Sequence, residues 1–197
     1  MLSKLTDRQK ILVAIGVETA SFLVLMTALC MILRPQMFDH PHWGLSFFGS
    51  QRSTLLPYYG GFLIVIGCLA WTTRILWHVQ GTWRPLKYIF LVATINAICV
   101  ALTSPMQGDF LYYSHIYLAF ALMLVVLASD IWSLTKPGRN WQDYTTFAVV
   151  LLGIVVVILS SNSLNILGIY YWGEVILFVG AFMSLGRVAL RATSDNS

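Results

Sequence analysis

A small set of polar residues lies at the edges of long apolar runs, and their side chains could carry out chemistry together. The set combines two carboxylates, an imidazole, two guanidinium groups and a phenol: Asp109, Glu174, His115, Arg34, Arg52 and Tyr112. Arginine contacts phosphate through paired hydrogen bonds, so the set could bind a zwitterionic or phosphorylated head group. It could also support acid–base hydrolysis. A third interpretation is that these residues only mark a polar boundary, where water and head groups solvate them.

A second set of ionisable residues lies inside the apolar runs, where charge is costly and a functional role is the first hypothesis. The rise of a helix puts Glu18 about 10 Å and Arg74 about 6 Å from the same edge of the apolar layer. An arginine side chain can bridge that difference. The sequence therefore predicts a structural ionic cluster of Glu18, Arg74 and Asp130. The alternative is a proton or ion relay, to which only Asn96 would contribute at mid-depth.

No motif in the chain indicates a metal or a cofactor, and we expect neither. His40 and His42 form an isolated pair, which is a weak metal signal. The chain has no Cys-x-x-Cys pair, phosphate-binding loop, dinucleotide fingerprint or Gly-x-Ser-x-Gly motif. Cys30, Cys68 and Cys99 each fall within an apolar run, as expected for thiols that pack as small apolar groups.

The composition excludes an ordinary water-soluble domain. Among the 197 residues, 58% are hydrophobic and only 10% are charged, whereas soluble domains carry about 25% charged residues. Lipid must therefore solvate part of the surface, and membrane lipids are the expected partners. The net charge of +4 could suggest nucleic acid. The basic residues, however, stand in short groups between apolar runs, so we expect no nucleic-acid partner.

Six runs are long enough to cross a membrane as helices, since a crossing of about 30 Å needs about 20 residues. The apolar residues do not alternate with polar ones, which favours helices over a barrel. The run from Ile11 to Leu33 is too long for a cleaved signal peptide, so we expect a retained first helix. The fold class predicted is an all-α integral membrane protein, one domain over 1–197. The spans are 11–33, 58–77, 85–103, 111–133, 145–160 and 166–190.

The basic residues also predict the orientation of the chain. Ten of the 12 Lys and Arg residues fall on the side of the two termini, and only Arg34 and Arg52 fall on the other. Positive charge stays in the cytoplasm, so both termini are expected there, in a multi-pass protein of the cell membrane. The longest connection, 34–57, then faces outside. We expect its aromatic and glycine-rich part, His42–Ser50, to lie against the bundle or in the outer interface.

Two short stretches resemble a known group of membrane proteins. Ser46-Phe47-Phe48-Gly49 and Pro57-Tyr58-Tyr59-Gly60 are similar to the loop and second-helix signature of bacterial six-helix proteins of unknown function. That group is distantly similar to the eukaryotic FRAG/DRAM/SFK group. His115, followed by Ala119 and Phe120, resembles the histidine position of the family. The resemblance implies a six-helix fold and, from the eukaryotic members, a role in lipid remodelling, lipid organisation or autophagy.

Three functions follow from these observations. The first is a non-enzymatic protein that binds a lipid head group or a membrane partner, either another membrane protein or a second copy of the chain, through an outward-opening polar pocket. We expect that pocket to hold His115, Glu174 and Arg52 under a roof of Trp43–Gly49. The second is a lipid-modifying enzyme that uses Asp109, His115 and Glu174. The third is a small transporter that uses Glu18, Asp130 and Arg74.

Overall fold

Six long apolar helices make up the fold. The computed structural model describes residues 6–33, 35, 44–103, 109–160 and 170–194, without the side chains of Asp109 and Tyr112. Each helix is long and apolar enough to cross a membrane. Within the described ranges there is no strand, so the prediction of an all-α bundle is confirmed. The helices are α1 (Asp7–Leu33), α2 (Leu55–Leu76), α3 (Leu86–Leu102), α4 (Asp109–Leu134), α5 (Trp141–Ser160) and α6 (Tyr170–Ser194).

Successive helices run in opposite directions, so the bundle has two distinct ends. The terminal end holds the start of α1, the end of α6 and the short 3₁₀ helix Gly81–Trp83. The loop end holds the 3₁₀ helix Leu45–Ser50 and the start of α6. The helices begin and end close to the predicted spans. The helices start four residues early at Asp7 and Trp141, because polar residues there make capping contacts that extend the helices beyond the apolar runs. Residues 166–169 of the predicted sixth span lie outside the described part of the chain.

The first helix shows how local sequence sets such an end. Thr6 and Gln9 form a capping box: the Gln9 N–H donates to the Thr6 hydroxyl (3.3 Å), and the Thr6 N–H donates to the Gln9 side chain (2.9 Å). This arrangement satisfies two backbone donors that the first turn would leave unpaired. The helix therefore begins at Asp7, before the apolar run itself.

The sixth helix lies at the centre of the bundle. It contacts α1, α4 and α5, and a larger share of its residues is buried than in any other helix. Glycine permits its close packing against α5. A Cβ on Gly153 would lie 2.5 Å from the Cα of Leu177, and one on Gly173 would lie 2.8 Å from the backbone nitrogen of Val157. Small residues at such contacts let the backbones of two apolar helices approach closely and pack against each other.

An ionic network closes the terminal end. Asp143, which is buried, pairs with Arg187 at 2.9 Å and with Arg191 at 3.4 Å. Arg191 also donates to the carbonyls of Ser133 (3.1 Å) and Pro137 (2.8 Å), and its guanidinium lies 5.3 Å from the Trp83 ring centroid. The network ties together the ends of α4 and α6 and the beginning of α5.

The middle of α1 departs from regular α-helix. Residues Phe22–Leu29 form a π-helical segment, in which the Thr27 hydroxyl donates to the carbonyl of Phe22, five residues earlier, at 3.2 Å. Such segments are uncommon and often occur where a helix borders a functional site. In this chain the segment turns Phe22 and Met26 into the interior of the bundle.

Candidate functional site

Glu174 fastens the loop end of the bundle. It lies in the second turn of α6, and its carboxylate accepts a 2.5 Å hydrogen bond from the backbone N–H of Leu45. The Tyr170 side chain also hydrogen-bonds to it. Gly44 lies so close that a Cβ there would be 2.5 Å from the Glu174 Oε2 atom. A carboxylate on α6 therefore holds the start of the 3₁₀ helix Leu45–Ser50, and only glycine fits beside it without a shift.

The 3₁₀ helix packs onto the bundle through its own side chains, as expected for part of His42–Ser50. Leu45, Phe48 and Gly49 are buried. The Phe48 ring meets the Tyr171 ring edge-on, with 6.0 Å between centroids. The Thr54 hydroxyl donates to the carbonyl of Phe48 at 2.5 Å and so fixes the exit of the turn. Residues 42 and 43 lie outside the described part of the chain.

His115 lies two turns into α4 and is buried. Its Nδ1 atom is 3.1 Å from the carbonyl oxygen of Val100 and 3.4 Å from the Thr103 hydroxyl, both at the end of α3. A carbonyl can only accept a hydrogen bond, so Nδ1 carries a proton and donates a hydrogen bond to the Val100 carbonyl. The other ring nitrogen, Nε2, is then the acceptor of a neutral imidazole. The α3 terminus thereby orients the ring and leaves it one lone pair for a ligand.

A single cavity of about 930 Å³ contains both His115 and Glu174. Its polar lining is concentrated at the loop end, where Ser46, Ser50 and Tyr170 join these two residues. The lining extends along α6 from Tyr170 to Leu185, which is about 22 Å of helix. Beyond the loop end the lining is almost entirely apolar. Its inner members include Phe22, Met26, Val65, Leu69, Val126, Phe178, Phe182 and Leu185.

The cavity opens sideways along α4. Ile116 and Phe120 line it and are 43% and 55% exposed, and they adjoin Tyr117 and Leu124 of the same helix, which are exposed and do not line it. A side chain that faces both the cavity and the exterior lies at a rim. The rim is therefore built from apolar residues of a long apolar helix, whereas the 3₁₀ helix Leu45–Ser50, with Phe47, Ser46 and Ser50 in the lining, covers the loop end.

The structure brings together only part of the predicted polar set. His115 and Glu174 share the cavity, but Arg52 is exposed and does not line it. Arg34 and the side chains of Asp109 and Tyr112 fall outside the described part of the chain. Sequence reasoning missed Ser46, Ser50 and Tyr170. The serines stand in the segment that resembled a family signature, but nothing in their spacing indicated that they line a cavity.

The predicted ionic cluster is replaced by other contacts. No salt bridge joins Glu18, Arg74 and Asp130, all of which the structure describes. Asp130 accepts a hydrogen bond from the Ser184 hydroxyl of α6. Glu18 is buried with one carboxyl oxygen unpartnered, whereas Arg74 is exposed. Similar depth was not enough, because the rotation of α2 turns Arg74 towards the outside of the bundle.

Comparison of the chain with protein-family models, curated proteins and solved structures gives no match. Among the described residues, no group of three or more His, Cys, Asp or Glu side chains could hold a metal ion. What the site offers is a set of hydrogen-bonding groups at one end of a long apolar cavity.

Proposed function

We propose that the chain is a multi-pass membrane protein with both termini in the cytoplasm. Six helices of sufficient length and apolar character support the first part of the proposal. Large apolar side chains on their outer surfaces, such as Leu63, Ile32 and Leu102, are 69%, 73% and 74% exposed, which suits lipid better than water. The orientation is supported by the ten basic residues at the terminal end. The loop end then faces the outer leaflet.

Within that membrane, the protein binds a lipid in its interior cavity. The observation that carries this proposal is the cavity of about 930 Å³ that has His115 and Glu174 at one end and an apolar lining over the rest. Ligand cavities of 300–1,000 Å³ are typical, and a few polar groups usually orient the ligand in them. A lipid has the same division into a polar head and apolar chains. Its chains would lie against the wall that the packed rings of Phe22, Phe178 and Phe182 form.

The polar end favours a head group that donates hydrogen bonds. Glu174 can only accept when ionised, and the Nε2 atom of His115 is an acceptor in the tautomer that Val100 imposes. Ser46 and Ser50 contribute hydroxyls. An ammonium or hydroxyl head group complements these acceptors. The phosphate contact that the sequence suggested for Arg52 has no support, because that side chain lies outside the cavity.

The side opening favours a ligand from the bilayer over one from water. The rim at Ile116 and Phe120 lies on the apolar exterior of α4, where acyl chains would surround it. A lipid could enter there without its chains passing through water. At the loop end, by contrast, the 3₁₀ helix that Glu174 fastens in place covers the cavity.

Two variants on α4 test the proposal. Ala119→Phe puts a large ring into the cavity, whereas Ala128→Phe puts the same ring on the exposed face of the same helix. We expect purified wild type and Ala128→Phe to carry lipid that native mass spectrometry detects and Ala119→Phe to lose it. Equal lipid retention by all three proteins, with Ala119→Phe folded, would overturn the proposal.

A lipid-modifying enzyme remains the second hypothesis, because a potential base and a carboxylic acid share one cavity. Two contacts argue for binding instead. The Glu174 carboxylate is engaged by Leu45 and Tyr170, and no hydrogen bond joins it to His115. An enzyme would keep these groups aimed at a reacting centre. Conversion of a co-purified lipid by wild type but not by His115→Ala would favour the enzyme.

The transporter hypothesis has less support. A transporter needs a polar path through the middle of the bundle, but the inner part of the cavity is apolar. Glu18, Asn96 and Asp130 each have a buried oxygen without a hydrogen-bond partner, but none of them lines this cavity. We therefore propose lipid binding as the function that the geometry supports best.

A further inference from the structure

A second cavity, separate from the lipid-binding one, lies at the terminal end. This groove of about 450 Å³ runs between the end of α2 and the beginning of α3. Arg74, Trp77 and His78 line its polar edge, and Ala70 and Leu91 lie deeper along it. It shares no lining residue with the cavity of His115 and Glu174.

Positive charge gathers around Trp77 at the edge of this groove. The Lys87 ammonium lies 4.9 Å from the centroid of the Trp77 ring and 5.3 Å from that of Tyr88. Only 8% of the Lys87 surface is exposed, so its stem is packed while its ammonium lies over the Trp77 ring. Among the described residues, the salt bridges involve Lys10, Arg187 and Arg191, and none involves Arg74 or Lys87.

The floor of the groove cannot supply further hydrogen-bond donors. Thr73 and Thr94 line it, but their hydroxyls donate to the carbonyls of Leu69 (2.8 Å) and Phe90 (2.7 Å) in their own helices. An acceptor such as phosphate would therefore find donors at the edge but none below. The lower part therefore has nothing to donate to a phosphate, whereas Ala70 and Leu91 give it apolar surface. The groove thus has a cationic edge above an apolar floor.

We propose that this groove binds one anionic phospholipid from the leaflet at the terminal end. Its phosphate would accept hydrogen bonds from Arg74, with Lys87 adding electrostatic attraction, and one acyl chain would lie along Ala70 and Leu91. Arginine is suited to phosphate because its donors match two oxygens at once. Basic residues beside a membrane-crossing helix attract anionic lipid in general. The groove makes this attraction specific, because it also receives a chain.

A matched pair of arginine variants tests the site. Arg74→Gln removes the groove arginine, and Arg84→Gln removes an exposed arginine at the same end that does not line the groove. Each protein is mixed in detergent with equimolar phosphatidylglycerol and phosphatidylcholine, and bound lipid is counted by native mass spectrometry. We expect wild type and Arg84→Gln to prefer one phosphatidylglycerol, and Arg74→Gln to weaken that preference about tenfold, as loss of one charged hydrogen bond implies.

Three results would overturn the inference. The first is a wild type that has no preference between the two lipids. The second is an equal loss in Arg74→Gln and Arg84→Gln, which would indicate diffuse attraction to the basic end rather than a site. The third is an Arg74→Gln protein, folded by its thermal transition, that binds phosphatidylglycerol as wild type does. The test is independent of the interior cavity, because the groove shares no lining residue with it. We therefore expect Ala119→Phe to keep the preference of the protein for phosphatidylglycerol.

Discussion

The carboxylate of Glu174 accepts a 2.5 Å hydrogen bond from the backbone N–H of Leu45, 129 positions earlier in the chain. This contact joins the beginning of the central helix to the 3₁₀ helix that covers the interior cavity. Without this contact, the Glu174 carboxylate would be available only to a ligand in the cavity. Glu174 therefore has two roles in our proposal: it holds the cover and it lines the polar end.

Removal of the Glu174 carboxylate should loosen the cover. In Glu174→Ala the Leu45 N–H loses its acceptor, and a charged hydrogen bond of this kind contributes about 1.5–3 kcal/mol. Glu174→Gln keeps an acceptor oxygen and should lose less. Hydrogen exchange of the peptide that covers residues 45–50 measures the effect. Its amides should exchange faster in Glu174→Ala than in Glu174→Gln. Unchanged exchange in both variants would show that other contacts hold the turn.

Substitution of Gly44 should disturb the same contact from the other side. An added Cβ would lie 2.5 Å from Glu174 Oε2, so Gly44→Ala should lower the unfolding temperature. Gly67→Ala is the control, because nothing lies within 4 Å of a Cβ there. The loss in Gly44→Ala should shrink when Glu174 is already alanine. A loss that is fully additive in the double variant would show that the two positions are independent.

Loss of Asp143 should destabilise the terminal end. Asp143 is buried between Arg187 and Arg191, and removal of one partner of a buried ion pair costs about 3–5 kcal/mol. Asp143→Ala should therefore lower stability far more than Asp7→Ala, since the exposed pair of Asp7 and Lys10 contributes at most about 1 kcal/mol. Unfolding in increasing denaturant compares the two. Similar losses would mean that water reaches the Asp143 site.

The proposed orientation can be tested by labelling with a membrane-impermeant thiol reagent. Ser53 is exposed at the loop end and Ser194 is exposed at the terminal end. In a background without Cys30, Cys68 and Cys99, Ser53→Cys should react in intact cells, because the proposed topology has the loop end outside. Ser194→Cys should react only after lysis. The reverse pattern would invert the proposed topology.

The coupling energy between Glu18 and Arg74 distinguishes the pairing that depth alone suggested from the contacts that the structure shows. Paired charges would show a large coupling energy in a double-mutant cycle of Glu18→Gln and Arg74→Gln. The structure has Arg74 on the exposed face of α2 and Glu18 buried without a salt bridge, so the two losses should add. Unfolding free energies of the two single variants and the double variant provide the measurement. A strong coupling would support the pair that depth alone suggested.

The number, the type and nearly the full extent of the helices follow from the local composition of the chain. A long apolar run has to satisfy its backbone hydrogen bonds internally, so local composition decides between helix and loop. The sequence also put His115 and Glu174 near one end of the bundle, because depth along a helix follows from counting residues. These properties depend on distance along the chain and need no knowledge of the neighbouring helices.

Which side chains meet depends on how the helices pack, and depth along a helix does not predict it. Glu18 and Arg74 have similar depths, but the rotation of each helix about its axis turns them apart. Asp143 and Arg191 lie 48 positions apart and pair because α5 and α6 pack closely through glycine. The apolar cavity is likewise built by residues from all six helices and from the 3₁₀ helix Leu45–Ser50, and each apolar residue resembles ordinary core in its own segment. Partner choice depends on helix rotation and packing, which result from the contacts of the whole bundle together.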